Sequence, residues 1–278
     1  MTFSKAIPRA LLAFVAIAII QAVAGIIVPM KPVAVPHLAL WILLNVAVTV
    51  AALSVIAARA EWQGWRLGAA VSAIPLVIFS INLIEALVFL PNTNLEWGKI
   101  FLYMLVAAVL GVPVWAFLFG KRKDAWRDHY RPLHSQSRGE RLWKFVLCAL
   151  LYVFLYFAVG AIIFPYVKDF YATQRLPSVG VIAALQFFVR APMFILLALA
   201  MTRMLGMPRL SGALVVGLVF TLLTGTAPLL TPNPVFPDSV RWAHFCEVTS
   251  EMFVFGAAVA WLWGPPPLAH APALRQAA

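Results

Sequence analysis

The chain reads as an all-α integral membrane protein of eight transmembrane helices, two parallel four-helix halves with both termini cytoplasmic. Three observations predict this. Of 278 residues, 63% are hydrophobic and 11% charged, against about 25% charged in soluble domains. Eight apolar runs reach the roughly 20 residues needed to cross a bilayer. The Lys and Arg of the connecting segments lie mostly on one side, as cytoplasmic loops require.

The first span, 10–29, follows Lys5 and Arg9 and ends in "AVAGIIVP". A basic start, an apolar run and the small residues of "AVA" at 22–24 also describe a cleavable signal peptide. The run is expected to be retained, because the end of the fifth span, "AVGAIIFP", repeats it. The second span covers 37–58. The third, 67–90, is introduced by "WRLGA", contains Pro75 and exits through "FLPNTN". The fourth, 100–119, is opened by "WGKIF". The fifth, 143–164, starts the second half, and the sixth, 180–202, contains Pro192. The seventh, 210–230, is introduced by "PRLSGA" and exits through "LTPNPV", and the eighth, 241–263, is opened by "RWAHF".

These paired phrases occur in the same order in both halves, with Gly111 and Gly256 in register, at an offset drifting from 136 to 145 residues. An internal repeat is expected. Four spans per half is an even number, so both halves enter the membrane in the same direction, related by an axis along its normal. The organisation is therefore 1–120 for the first half, 121–142 for a basic linker, 143–264 for the second half and 265–278 for a tail. Three successive prolines prevent that tail from continuing the last helix.

Fifteen cationic residues fall on the linker side and five on the other, with Arg190 left inside a span. This places both termini in the cytoplasm of a cell whose inner membrane holds the protein. The net charge of +11 belongs to these loops and argues for no nucleic acid partner. The linker is expected to rest on anionic lipid headgroups. Cys148 and Cys246 lie near opposite ends of their spans and read as buried free thiols.

Ionisable groups inside lipid cost at least about 2.5–3.5 kcal/mol each, so they mark sites or pairs. Five lie within the spans: Glu85, Arg190, His244, Glu247 and Glu251, accompanied by Asn82 and Gln186. Residues 244, 247 and 251 share one helix face. A helical rise of 1.5 Å puts Glu85 and Glu247 about 8–9 Å from the non-cytoplasmic end, and Arg190 and Glu251 about 15 Å. The simplest arrangement is one outward-facing polar cavity, with Arg190 ion-paired to Glu251 or Glu247 at its floor and His244 near its mouth.

Such a cavity suits transport of a small ion or solute. It also suits an intramembrane hydrolase, metal- or glutamate-dependent, acting on a membrane-embedded or lipid-linked substrate. His244, Glu247 and Glu251 can be read as ligands for one divalent metal ion, by analogy with Glu-x-x-His pairs in bundle proteins. A third reading is a non-catalytic assembly subunit, since "GAAVSA" and "GAAVAW" offer small-residue packing faces. The adjacent glutamates and Phe-x-x-x-His element of CAAX-processing membrane proteases are missing. So are the clustered histidines of zinc permeases, and any phosphate loop or nucleophile elbow.

The orientation has a direct test. A reporter enzyme active only outside the cytoplasm should be active when fused after residue 92 and inactive when fused within 121–142. The reverse pattern would invert the topology.

Overall fold

The computed structural model describes residues 3–31, 35–90, 95–120, 137–174, 176–232 and 235–264. Among them, eight helices are long and apolar enough to cross a membrane. They are α1 (Phe3–Ile27), α2 (Leu38–Arg59), α3 (Gly64–Phe89), α4 (Trp97–Phe119), α5 (Arg138–Ala172), α6 (Val179–Leu205), α7 (Arg209–Leu230) and α8 (Asp238–Trp263). Each expected span matches one of these, the first three overrunning their helix by one or two residues at one end, and the chain is a multi-pass membrane protein. The stretch 121–136 of the linker, expected to rest on lipid headgroups, and the tail 265–278 lie outside the described residues. The last part of the linker, from Arg138, is already helix.

Local chemistry explains several helix ends. Ser137 caps α5 by accepting from the Glu140 backbone N–H at 3.0 Å, and Glu140 reaches Lys144 at 2.7 Å one turn on. This is the first half of a capping box, with an i,i+4 pair behind it. α6 stops at Gly206, whose φ of 55° is the left-handed conformation that glycine tolerates. There the Glu61 backbone N–H from the α2–α3 turn donates to the Met204 carbonyl at 2.8 Å. A side chain at position 206 would collide with Glu61.

Within each group of four, the last helix packs on the third and the first. α4 lies against α3 and α1, and α8 lies against α7 and α5. The two groups meet through α2 and α3 on one side and α6 and α7 on the other. Close approach at the α3–α4 and α7–α8 seams rests on glycine. A Cβ on Gly68 would strike the Val112 carbonyl, one on Gly217 would lie 2.8 Å from the Phe253 carbonyl, and one on Gly225 2.8 Å from the Thr249 nitrogen. In lipid, where apolar burial gives helices little reason to associate, this backbone-to-backbone contact is a main attraction.

The best-packed region is an aromatic block contributed by α5 to α8. Tyr152, Phe194, Phe220 and Phe255 are fully buried, and their ring centroids lie 4.9–6.5 Å apart. Outward faces are apolar: Leu11, Ile26, Phe154, Ile162 and Phe188 are all exposed. On a soluble protein such surfaces would aggregate, whereas lipid tails solvate them. Cys148 is buried as expected, but Cys246 is exposed on that outer surface. Its position on α8 turns it away from the face shared by residues 244, 247 and 251.

Both α6 and α7 contain a wide turn. Gln186–Arg190 and Thr221–Thr226 are π-helical, closed by Ala191 N–H to the Gln186 carbonyl and Ala227 N–H to the Leu222 carbonyl. In each case a proline, Pro192 or Pro228, follows the turn by two residues. Proline has no N–H to donate, and its ring crowds the carbonyl four residues back. Widening the preceding turn relieves that crowding without breaking the helix.

The seams yield a paired expectation. Gly217→Val should lower stability by about 1–3 kcal/mol through overpacking. Gly25→Ala, which meets nothing within 4 Å, should be neutral or stabilising by about 0.5–1 kcal/mol. Thermal unfolding of the two variants in one detergent is the measurement, and equal losses would contradict the packing.

Candidate functional site

An acidic cavity of about 380 Å³ opens between α3, α5, α6, α7 and α8. Asn82 and Glu85 come from α3, one turn apart. Arg190 comes from the π-turn of α6, and His244, Glu247 and Glu251 from one face of α8. Gln186 does not line the space but stands fully buried behind it. All seven residues expected from the sequence thus belong to one neighbourhood.

The ion pair differs from the expected one. Arg190 Nη1 lies 2.6 Å from Glu85 Oε1, and neither Glu247 nor Glu251 is its salt-bridge partner. Arg190 Nη1 also donates to Gln186 Oε1 at 2.9 Å, and Nη2 to Asn82 Oδ1 at 3.1 Å. Gln186 Nε2 closes the ring by donating to Glu85 Oε1 at 3.0 Å. The guanidinium is buried and further held above aromatic rings, 5.8 Å from Tyr152 and 5.6 Å from Phe194. Rotation about the helices decided the partner. Arg190 faces the amide and carboxylate of α3, across the junction of the two halves.

The α8 acids therefore have other roles. His244 Nδ1 lies 2.6 Å from Glu247 Oε2, and its Nε2 lies 2.9 Å from the Tyr171 hydroxyl. With the imidazole neutral, Nδ1 donates to the carboxylate and Nε2 accepts from the phenol. The result is a continuous chain from Tyr171, one residue from the end of α5, inward to Glu247. Gly160 lets it form: a Cβ there would lie only 3.3 Å from Glu247 Oε1. One turn deeper, Glu251 is buried and its Oε2 has no hydrogen-bond partner.

The expected metal ligand set is not formed. Among the described residues, no three His, Cys, Asp or Glu side chains converge as a ligand group. His244 and Glu247 bond to each other, and Glu251 stands a further turn along the helix, about 6 Å of rise away.

Sequence reasoning missed the aromatic wall. Phe89, Trp97, Tyr156, Tyr171 and Phe236 line the same cavity. Tyr171 was outside the expected fifth span, which ended at 164, whereas α5 runs to Ala172. The helix-compatible stretch "YVKDFYA" after Pro165 was the available signal. Compared with protein-family models, with curated proteins and with solved structures, the chain gives no match.

The Glu85–Arg190 pair can be tested by a double-mutant cycle. Arg190→Met alone should cost about 1–3 kcal/mol, because it leaves Gln186, Asn82 and the half-buried Glu85 carboxylate without their donor. Adding Glu85→Leu should recover a large part of that loss, with a coupling of about 1 kcal/mol or more in thermal or denaturant unfolding. Strictly additive losses would mean the two groups do not interact.

Proposed function

We propose that the chain is a carrier for a small organic cation, with proton exchange at the α8 carboxylates. One observation carries the reading: a cavity with three carboxylates, one arginine and an aromatic wall. Arg190 is neutralised by Glu85 and occupied by Gln186 and Asn82, which leaves Glu247 and Glu251 as acids available to a ligand. Carboxylates behind aromatic faces recognise ammonium groups by charge and by cation–π attraction.

The proton arm follows from the same residues. Tyr171, His244 and Glu247 form a hydrogen-bonded chain leading inward, along which a proton can pass. Glu251, with a free oxygen inside the protein, can hold either a proton or the cation. Competition between the two for one carboxylate is the elementary coupling step of an exchanger.

The setting agrees with a carrier in three respects. The site lies where the two halves meet, as in transporters built from parallel repeats. The α1–α4 and α5–α8 groups pack in matching order, which supports the internal repeat. The π-turns free backbone groups at membrane depth only beside the cavity, where irregular helix is tolerated. We further propose inner-membrane insertion with both termini cytoplasmic, so that the cavity faces outward.

An intramembrane hydrolase is the second reading, favoured by the unpartnered Glu251 oxygen as a base for water. It ranks lower because the nearby Arg190 is already neutralised by Glu85 and has both terminal nitrogens engaged, leaving Nε alone for an oxyanion.

Binding of tetramethylammonium to the protein in lipid nanodiscs tests the proposal. The apparent affinity should weaken as pH falls, by at most about tenfold per unit for one competing proton. Glu251→Gln should retain binding and flatten that profile, while His244→Gln separates any share due to the imidazole. Absence of saturable binding in the wild type would overturn the cation reading. An unchanged pH profile in Glu251→Gln would remove the proton from it.

A further inference from the structure

A second cavity, of about 430 Å³, adjoins the acidic one, and the two share Phe79, Asn82 and Pro228. Its chemistry is the opposite. No Asp, Glu, Lys, Arg or His lines it among the described residues, and its walls include Val46, Leu53, Ile78, Met104 and Ala107. Its larger polar side chains are engaged: Tyr103 donates to Gln21, and Asn45 to the Ala227 carbonyl.

We infer that the cation is an amphiphile, its ammonium head in the acidic cavity and a single hydrocarbon chain in this apolar chamber. The inference rests on the cation reading above and names the rest of the molecule. Three features of the structure carry it.

Continuity is the first. α3 runs past both spaces, with Ser72, Leu76 and Phe79 in the apolar chamber and Glu85 and Phe89 in the acidic one. From Ser72 to Phe89 the helix rises about 26 Å, so an extended ligand can lie along it with its two ends in different surroundings. Asn82 sits at the junction and holds Arg190 through its side-chain oxygen at 3.1 Å, which keeps the charged network on one side of the throat.

Complementarity is the second. A hydrophilic solute would find no charge in the chamber, and of its polar side chains Gln21, Tyr103, Asn45 and Asn82 already bond within the protein, leaving the scattered hydroxyls of Thr49, Ser72 and Thr231. Its aliphatic walls gain dispersion contacts only from a group that packs against them. A hydrocarbon chain supplies those contacts at no desolvation cost.

Access is the third. Ile42 lines the chamber and is also exposed on the outer surface of α2, and Met30, in the connection after α1, lines it and is exposed as well. That surface faces lipid, so a chain dissolved in the bilayer can enter sideways while its head reaches the acids through the throat.

The experiment is displacement of radiolabelled tetramethylammonium from the protein in nanodiscs by butyl-, hexyl- and octyltrimethylammonium, with octyl sulfonate as the matched anion. Octyltrimethylammonium should displace at a concentration about tenfold or more below the butyl compound, since each buried methylene contributes favourably, and octyl sulfonate should not displace. Ala107→Phe fills the chamber from α4 and Thr49→Trp from α2. Either should cut the octyl-to-butyl ratio to about threefold or less, with tetramethylammonium affinity within about twofold of wild type. A flat wild-type series, or a chain-length gain that survives both fillings, would overturn the inference and leave the cation site standing. The wild-type series decides even if a filled variant does not fold. Tetramethylammonium that fails to bind at all would remove the cation reading, and this inference with it.

Discussion

An arginine inside a bilayer must be surrounded. Its charge is permanent in proteins and its cost in lipid is several kcal/mol, so the protein around Arg190 is organised to meet it. Glu85 neutralises it, Gln186 and Asn82 accept from its two terminal nitrogens while Nε stays without a partner, and the rings of Tyr152 and Phe194 lie within cation–π range. Because Glu85 and Asn82 belong to α3 and Arg190 to α6, meeting that charge also joins the two halves of the protein. Rotation of either helix by a third of a turn would expose the guanidinium or the carboxylate without a partner.

The same constraint leaves the α8 acids unspent. A structural ion pair needs one carboxylate, and this cavity contains three. Glu247 is tied to His244 and through it to Tyr171, while Glu251 keeps an oxygen without a partner. Leaving a buried polar atom unsatisfied costs about 1–3 kcal/mol, which a purely structural helix has no reason to bear. The surplus of acid, the hydrogen-bonded chain to the end of α5 and the ring-lined wall together support the proposed ligand site.

Backbone irregularity is concentrated around it. The two π-turns precede Pro192 and Pro228, and both flank the cavity, one supplying Arg190 and the other ending beside Thr224 and Pro228. A π-turn shifts the phase of all residues beyond it relative to a regular helix. In α6 this lets Gln186 and Arg190 contact each other and α3 together, while Phe188 between them points to lipid. Elsewhere regular helices meet at glycine seams, where Gly68 and Gly217 bring backbones into contact.

What the sequence determined by itself is what depends on position along the chain. Apolar run length specified eight spans, and the rise of a helix gave the depth at which Glu85, Arg190, Glu247 and Glu251 would sit. Hence all the polar residues it singled out share one neighbourhood. What only the tertiary structure decided is what depends on rotation about each helix and on contacts between helices distant in sequence. Arg190 chose Glu85 over Glu251, His244 turned to Glu247 and Tyr171 rather than to a metal set, and Phe89, Trp97 and Phe236 became a wall. The physical reason is the hydrophobicity of the spans themselves. When almost every face of a helix is apolar, its sequence carries no amphipathic stripe to show which way it turns, and packing against its neighbours sets the angle.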